Sequence, residues 1–507
     1  MRRPHHVTAV TTALVTAVTT ALVTACVTVL VTGVTALAVG PPASAAASAP
    51  SPASSVEPSA CAPTGPGVTE YCGELAGARY RVQVPDDWNG TLVLFSHGHY
   101  PSEFFGGFPV PHLLGNQELS AGMLTEHGYA VAASLFQGDG LDFTVPTAVA
   151  DQSRLLDWFE THVAEPDRTI TYGQSMGAVT AIKHAETEPE RIDGVLTVGG
   201  ALDWVGHLDT ILDINAATRA LLTDGTDGQG NPIELVEAVD GEASRDALVA
   251  ALTAAQETPE GRARIALIAS LGTVSGWYWM NEPEPRTPED RARGQAQWLI
   301  VAYTLGLGPA ARDDLEAKLG GNPSSTGLDH LRARLARSGA APEVVAAYAR
   351  AGLDLRADLA TLEAVEPIEA DPGARAAMVA HRPEGTTPSP VLTLHTTGDG
   401  GAPPSGERSF AHRVREVGDP ARLRSLYVER GAHLSVSLAE ELVALRALER
   451  RIDTGRWPTL ASRALNRAAD ALGPDYRATF EVVTLQTFDH APAFTRFTPP
   501  PAPRPSW

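Results

Sequence analysis

The 507-residue sequence predicts an α/β protein, with a mostly parallel sheet covered by helices on both faces and a large helical insertion. Strand and helix signals alternate along residues 78–202 and again after residue 389, as is typical of parallel strands joined by crossover helices. Between them, residues 203–388 show almost no strand signal and consist of Ala/Leu/Arg-rich segments with helical spacing. The two alternating parts are therefore expected to form one sheet, interrupted by the insertion.

Five strands are predicted before the insertion. The first, residues 79–85, alternates apolar and polar side chains as an edge strand does. Residues 91–96 and 129–136 are continuous apolar runs, which are typical of parallel strands buried on both faces. The β-branched run 169–172 and the apolar run 194–198 complete the series.

Helix signals dominate the insertion, and the sheet resumes after it. The helical segments predicted within the insertion include residues 245–256, 292–305, 328–336 and 342–350. Strands are expected again at 391–394 and 423–428. Ser437 and Glu440 then have the spacing of a capping box, which predicts that a helix begins there. The chain from residue 499 is rich in proline and is predicted to be disordered.

These signals divide the chain into six regions. They are a signal peptide (1–45), a disordered Ala/Ser/Pro linker (46–60), the first part of the α/β core (61–202), a helical lid insertion (203–388), the second part of the core (389–488) and a Pro-rich tail (489–507). Arg2 and Arg3, a long apolar run and small residues near Ala45 predict a cleaved signal and a secreted protein. Because the apolar run is long, an uncleaved membrane anchor is the alternative, and only then would a membrane be a partner.

Composition narrows the class of partner. The net charge of −21, with no basic cluster, argues against binding to nucleic acid. Once the signal is removed, Cys61 and Cys72 are the cysteines that remain. A close, even pair in an exported protein is most simply a disulfide, worth about 2–3 kcal/mol of stability.

The most informative motif is GQSMG, residues 173–177, because a strand signal precedes it and a helix signal follows it. This strand–GxSxG–helix context is what a nucleophile elbow requires. Such a turn is so tight that glycines relieve backbone clashes, and it exposes the Ser175 hydroxyl beside a helix N-terminus. A serine hydroxyl is a poor nucleophile at neutral pH, so it needs a nearby base and a carboxylate that orients the base.

Candidates for that base and acid follow the last two predicted strands. The strand at 391–394 continues into His395-Thr-Thr-Gly-Asp399, and the next strand ends in Arg430-Gly-Ala-His433. Asp399 and His433 are separated by one helix and one strand, so they are expected on adjacent loops at the carboxyl edge of the sheet. The main alternative acid is Asp203, which directly follows the strand region 194–202.

At these residues the chain resembles the α/β-hydrolase fold of serine hydrolases, in the order Ser…Asp…His and in the strand ends LHTTGD and GAH. The segment LFSHGH, residues 94–99, is similar to the oxyanion-hole turn of that family. The stretches DWNGTLVLFSHG and GRWP resemble, more closely, secreted actinobacterial members of esterase, lipase or peptidase type. The resemblance covers residues 77–202 and 390–454 and leaves out the insertion.

The resemblance implies a role for each matched residue. Ser175 would be the nucleophile, His433 the base and Asp399 the orienting acid. The backbone N–H groups of Met176 and His99 would form the oxyanion hole. The expected reaction is a two-step transfer of an acyl group to water, with no cofactor, on a small-molecule or short acyl substrate. A carboxylic ester is the first choice because its leaving group needs less help than that of an amide.

Two other functions stay open. A secreted peptidase or amidase would use the same catalytic residues, and acidic side chains of the insertion such as Asp209, Asp213, Glu282 and Glu284 would bind a substrate amine. An inactive envelope protein would use the same scaffold for binding alone. The aromatic residues 277–279 are expected either in the core or in a substrate pocket.

No metal site is expected. His97 and His99 have no carboxylate or cysteine at ligand spacing. The acidic stretch 224–232 does not have the spacing of an EF-hand and is interpreted as a solvated turn.

Overall fold

The computed structural model describes residues 67–100, 118–137, 143–481 and 486–507. The predicted signal peptide, the linker and Cys61 lie outside these ranges, so the signal and the disulfide to Cys72 stay predictions. Among the helices that the structure describes, none is long and apolar enough to cross a membrane.

A nine-stranded sheet lies at the centre of the described chain. Its strands are β1 (Val68–Leu75), β2 (Ala78–Pro85), β3 (Thr91–Ser96), β4 (Ala130–Gln137), β5 (Arg168–Gln174), β6 (Gly194–Val198), β7 (Val391–Gly398), β8 (Leu423–Gly431) and β11 (Phe494–Thr495). They lie in the order β1-β2-β4-β3-β5-β6-β7-β8-β11. The run from β4 to β8 is parallel, whereas β1, β2 and β11 are antiparallel to their neighbours. A separate pair is formed by β9 (Ala478–Glu481) and β10 (Gln486–Asp489).

Helices cover both faces of this sheet. One face carries α1 (Glu118–Glu126), α14 (Leu438–Thr454) and α15 (Ser462–Asp470), and the other carries α2 (Val145–His162), α3 (Gly177–Thr187) and α13 (Ser405–Val417). Successive residues of β3 point to opposite faces, so that Val93 packs with the first set and Leu92 with the second. Because both faces are covered, β3 is a continuous apolar run, which confirms the predicted α/β fold class.

The insertion contributes helices between β6 and β7. They are α4 (Trp204–Leu222), α5 (Gly241–Ala255), α6 (Pro259–Ser270), α7 (Pro288–Trp298), α8 (Arg312–Leu319), α9 (Leu331–Ser338), α10 (Ala341–Ala351), α11 (Leu355–Glu363) and α12 (Pro372–Ala380). A π-helical segment, Leu299–Leu305, continues α7. Met176 and Val179, at the start of α3, belong to the same apolar cluster as these helices. The insertion therefore packs directly over the turn between β5 and α3.

The predicted capping box is confirmed at the start of α14. The hydroxyl of Ser437 accepts a hydrogen bond from the N–H of Glu440 at 3.3 Å, and the Glu440 carboxylate accepts one from the N–H of Ser437 at 2.8 Å. Both helix-end donors are thereby satisfied, which typically stabilises a helix by about 1 kcal/mol.

Residues 79–85 do form a strand, β2, but the prediction that it lies at the edge of the sheet was wrong. Strand β1 pairs with β2 along its whole length, from Val68 opposite Pro85 to Leu75 opposite Ala78. The sequence of β1 mixes charged and apolar residues, and most of them are only half buried. An edge strand of this kind has no continuous apolar run by which sequence analysis would find it.

The Pro-rich tail is likewise ordered, contrary to the prediction. The carbonyl of Pro499 accepts a hydrogen bond from Arg408 at 2.8 Å, and the carbonyl of Ser506 accepts one from Arg382 at 2.7 Å. The guanidinium of Arg504 lies 3.4 Å from the carboxylate of Asp213. Proline cannot donate to a strand ladder, but the other residues of the tail are held by side chains of the core and of the insertion.

Candidate active site

Ser175 occupies the turn between β5 and α3. Its φ of +51° lies in the left-handed region, which costs a residue with a side chain about 1–2 kcal/mol. Two backbone hydrogen bonds impose this conformation: the N–H of Ser175 donates to Val198 at 3.0 Å, and its carbonyl accepts from Ala201 at 3.1 Å. A Cβ on Gly177 would lie 2.2 Å from the carbonyl oxygen of Ser96, so the tight turn requires glycine there.

Asp399 and His433 form a hydrogen-bonded pair. Asp399 follows β7, His433 follows β8, and the two strands are parallel neighbours. Nδ1 of His433 donates to Oδ2 of Asp399 at 2.6 Å. The other oxygen, Oδ1, accepts from the N–H groups of Gly401 and Ala402, each at 2.9 Å. The carboxylate is completely buried, while 17% of the His433 side chain remains exposed.

The loop after β6, residues 198–201, connects Ser175 to this pair. Its two ends hold the backbone of Ser175 through Val198 and Ala201. Between them, a Cβ on Gly199 would lie 3.3 Å from Cε1 of His433 and 3.5 Å from Oδ2 of Asp399. Residues 198–201, at the carboxyl edge of the sheet, therefore hold the predicted nucleophile and pass close to the predicted base and acid.

The segment after β3 passes beside Ser175. A Cβ on Gly98 would lie only 2.9 Å from Cβ of Ser175. The next residue, His99, donates from Nε2 to the carbonyl of Gly306 at 2.9 Å, and its ring packs on Phe143 at 4.8 Å. Met176 is the N-cap of α3, so its backbone lies where a helix leaves N–H groups without intrahelical acceptors.

This strand order, with a strained serine after β5 and residues Asp399 and His433 after β7 and β8, matches the predicted resemblance at the level of the fold. The chain has the α/β-hydrolase fold. No protein-family model matches the sequence. The o-phthalyl amidase of Xanthobacter agilis is 26% identical over 447 residues, which are 81% of this chain and 93% of that protein.

Two solved structures align with about three quarters of this chain. Feruloyl esterase B from Aspergillus oryzae is 13% identical and covers 77% of this chain and 82% of its own, with a TM-score of 0.37. Est1E from Butyrivibrio proteoclasticus is 11% identical and covers 76% and 98%, with a TM-score of 0.32.

Asp203, the alternative acid, has other partners. Its carboxylate accepts hydrogen bonds from Ser409 at 2.6 Å, from the N–H of Ser506 at 3.2 Å and from the N–H of Gly206 at 3.3 Å. The last of these caps helix α4. The bond from His433 goes to Asp399 instead, so the geometry favours Asp399.

The acidic residues of the insertion that were candidates for binding an amine are either paired with arginines or exposed to solvent. Asp209 is paired with Arg375 at 2.8 Å, and Asp213 is paired with Arg334 at 3.1 Å. Both carboxylates are buried and tie helices of the insertion together, which leaves them unsuited to hold a substrate amine. Glu282 and Glu284 lie on the surface.

The aromatic residues 277–279 divide between core and cavity. Tyr278 is buried and its ring packs on Trp298 at 4.7 Å. Trp277 is half-buried, and a Cβ on Gly431 would lie 2.5 Å from its ring. It lines a cavity of about 200 Å³ together with Arg291 and Gln295. Trp277 thus separates this cavity from the ends of β7 and β8.

Sequence reasoning missed the residues that surround Asp399. The ring of His395, in β7 before Asp399, lies with Nε2 at 3.2 Å from Oδ2 of that carboxylate. Trp298 packs on the Gly400 backbone. His207, in α4, is half-buried against the same loop, and loss of contact with water lowers its pKa to about 4. The signal for His395 is its position four residues before Asp399 on the same strand end; Trp298 and His207 lie in the insertion, where no motif marks them.

His97 and His99 each have a backbone carbonyl as partner. Nδ1 of His97 lies 2.7 Å from the carbonyl of Gly98, and burial lowers the pKa of His97 to about 4. Among the residues that the structure describes, no group of three His, Cys, Asp or Glu side chains is arranged to hold a metal ion. In the stretch 224–232, Asp227 accepts from the N–H groups of Gln229 and Asn231, as expected of a solvated turn.

Proposed function

We propose that the protein is a serine hydrolase that cleaves small carboxylic esters by transferring the acyl group to water in two steps. One observation carries the proposal. Ser175 is strained in the turn between β5 and α3, and the segment 198–201 that holds it also passes close to the hydrogen-bonded pair Asp399 and His433. Such an arrangement supplies a serine, a base and an orienting carboxylate on separate, fixed elements.

In the proposed reaction, Oγ of Ser175 attacks the substrate carbonyl carbon while Nε2 of His433 takes the hydroxyl proton. Nε2 is the basic nitrogen because Nδ1 carries the proton donated to Asp399. When the tetrahedral intermediate collapses, His433 gives the proton to the leaving alcohol. A water molecule then attacks the acyl-enzyme, loses a proton to His433 and releases the acid, and Ser175 regains its proton.

Asp399 would keep the His433 ring in this tautomer and stabilise its protonated form. Burial alone would raise the pKa of Asp399, but the imidazoles of His433 and His395 outweigh burial and hold that pKa well below its usual range. The acid is therefore ionised at every pH at which the enzyme would work.

We assign the oxyanion hole to the backbone N–H groups of Met176 and His99. The position of Met176 at the start of α3 and the close approach of Gly98 to Ser175 support this assignment. Each donor of this kind typically lowers the barrier by about 3–4 kcal/mol.

An amide is the second candidate substrate. The observation that favours it is the similarity to an amidase along 93% of that protein's length. The same catalytic residues serve both reactions, but an amide depends more on protonation of the leaving nitrogen by His433. We further propose that the protein acts outside the cell and that the insertion, whose core includes Met176, is a lid that shapes the substrate site.

A matched pair of substrates tests the proposal. The mature protein and its Ser175→Ala variant are assayed with p-nitrophenyl esters of increasing acyl length and with p-nitroanilides of the same acyl groups. We expect ester hydrolysis that falls by about 10³-fold or more in the variant. Equal rates in both proteins would refute the role of Ser175. Faster cleavage of the anilide than of the matched ester would establish the amide as the substrate class.

A further inference from the structure

A second histidine, His395, lies behind the proposed acid. It is in β7 with its side chain completely buried. Nδ1 of the ring lies 3.0 Å from Oε1 of Glu407, and Nε2 lies 2.8 Å from the carbonyl of Ala402 and 3.2 Å from Oδ2 of Asp399. The ring therefore bridges Glu407 in α13 and Asp399.

These contacts determine which ring nitrogens carry hydrogen. A backbone carbonyl only accepts, so Nε2 must be protonated to face both Ala402 and Asp399. On the other side, Oε1 of Glu407 faces Nδ1 at 3.0 Å, while Oε2 accepts a hydrogen bond from the hydroxyl of Thr393 at 3.0 Å. Because a carboxylic acid is a stronger acid than an imidazolium, the proton between Oε1 and Nδ1 is placed on Nδ1, which makes the ring an imidazolium.

The surroundings favour this charged form. Burial alone would lower the pKa of His395, but the carboxylates of Glu407 and Asp399 together raise it to about 10. The other titratable groups that face this cluster come from neighbouring elements. They are His433 after β8, Tyr427 in β8, His207 in α4 and Tyr303 in the π-helical segment. Tyr303 is neutral and His207 is uncharged near pH 7, so His395 is the fixed cation of the cluster.

We propose that His395 is a positioning residue for catalysis: a permanent imidazolium, held by Glu407, that shares Oδ2 of Asp399 with His433. The inference rests on the proposed function, which it deepens. The fixed donor would hold the Asp399 carboxylate in the plane that His433 requires. Its charge would offset part of the negative charge of Asp399 and Glu407, so that His433 loses its proton at a lower pH and can act as a base there.

Two substitutions of His395 distinguish the effect of its charge from the effect of its hydrogen bond to Asp399. His395→Gln removes the charge but can keep an N–H near the position of Nε2, whereas His395→Asn keeps an N–H only toward Glu407. The control is His412→Gln, an exposed histidine of α13. The rate constant kcat/KM for a p-nitrophenyl ester is measured against pH for each folded variant.

We expect the acidic limb of the profile to move to higher pH by about one unit in both His395 variants, because the anions are no longer offset. In His395→Asn, kcat should fall about tenfold further than in His395→Gln at similar KM, because Asp399 also loses a fixed donor. The His412 variant should match the wild type. Profiles of folded His395 variants that coincide with the wild-type profile would overturn the proposal.

A measurement without activity separates this inference from the proposed function. Ring-nitrogen NMR of the Ser175→Ala protein with ¹⁵N-labelled histidine should show His395 protonated on both nitrogens at pH 8, and on one nitrogen in Ser175→Ala with Glu407→Gln. A neutral His395 at pH 8 in the protein with Glu407 intact would overturn the proposal even if the substituted enzymes do not fold. Undiminished hydrolysis by Ser175→Ala would refute the proposed function instead, whatever the NMR shows.

Discussion

Three residues with side chains at the carboxyl edge of the sheet have a left-handed backbone conformation, which is unfavourable in an isolated chain. Ser175 has a φ of +51°, and Ala432 and Leu434, on either side of His433, have φ values of +65° and +61°. Left-handed backbone at residues with side chains is maintained only where surrounding contacts overdetermine it. Here the contacts come from neighbouring strands, so the strain is concentrated where the proposed nucleophile and base lie.

Relief of that strain at Ser175 should be measurable. We predict that Ser175→Gly unfolds with a free energy about 1 kcal/mol larger than Ser175→Ala, because glycine adopts a positive φ without a Cβ clash. Both variants lack the hydroxyl, so each is the control of the other. Guanidinium unfolding monitored by tryptophan fluorescence gives the difference. A more stable alanine variant would show that the turn is not strained.

Histidines with shifted pKa values should lower the free energy of unfolding on both the acidic and the alkaline side of neutral pH. Burial lowers the pKa of His97 and His207 to about 4, below the value of about 6.5 in an unfolded chain. Between those values the unfolded state binds more protons, so the free energy of unfolding falls as pH falls from 6.5 to 4. His395 acts in the opposite sense. Its folded pKa of about 10 gives stability that is complete below pH 6.5 and lost as pH rises toward 10.

The melting temperature is therefore predicted to be highest near pH 6–7 and to fall on both sides. Thermal unfolding at pH 4.5, 6.5 and 9.5 checks this. In His395→Gln the decline toward pH 9.5 should be shallower, while the decline toward pH 4.5 should remain. A wild-type melting temperature that rises from pH 6.5 to 9.5 would contradict the assignment of His395 as a buried cation.

At the scale of elements, the loop between β8 and α14 carries His433, and one carboxylate clamps both of its ends. Glu440 accepts from Arg430 at 2.8 Å, from the N–H of Ser437 at 2.8 Å and from the N–H of Ala493, next to β11, at 2.8 Å. Arg430 in turn donates to the carbonyl of Ser435 at 2.6 Å. The end of β8, the start of α14 and the tail are thereby held as one unit.

Removal of this clamp should destabilise the protein strongly. We predict that Glu440→Ala lowers the free energy of unfolding by about 3–5 kcal/mol, because Arg430 is left buried without its carboxylate. Ester hydrolysis should fall as the His433 loop loosens. Arg450→Ala, an exposed site on the same helix, should change stability by less than about 0.5 kcal/mol. Comparable effects of the two variants in guanidinium unfolding would contradict the clamp.

At the scale of the whole molecule, the tail links the core to the insertion. Arg504 contacts Asp213 of α4 and the carbonyl of Ser325, and Arg408 of α13 donates to the carbonyl of Pro499 at 2.8 Å. The guanidinium of Arg382 lies 5.6 Å from the ring centre of Trp507. A segment that composition alone marks as unstructured thus contacts elements on both sides of the insertion's boundary.

Loss of the tail should therefore cost stability. We predict that deletion of residues 499–507 lowers the free energy of unfolding by at least about 2 kcal/mol, because the buried carboxylates of Asp203 and Asp213 lose hydrogen-bond partners. Arg504→Ala should produce a smaller part of the same loss. Arg496→Ala, at an exposed position before the deleted segment, is the control. A truncated protein as stable as the full chain would show that the tail contacts contribute nothing.

What could be predicted from the sequence depends on how local the signal is. Sequence analysis found the features whose signal lies within a few residues. These are the continuous apolar runs at β3 and β4, the GxSxG turn at Ser175 and the capping box at Ser437. The edge strand β1 and the order of the tail were missed because each depends on a distant partner: β2 for the first, and side chains such as Arg382 for the second.

The sequence by itself determined the α/β class, the helical insertion and the identities of Ser175, Asp399 and His433 as candidates, because strand periodicity and turn chemistry are local. Only the tertiary structure decided that Asp399 rather than Asp203 faces His433, and that His395 shares that carboxylate. The pairing of charges depends on distances across parallel strands and loops. Those distances follow from the packing of the whole sheet and insertion, which no short stretch of the chain encodes.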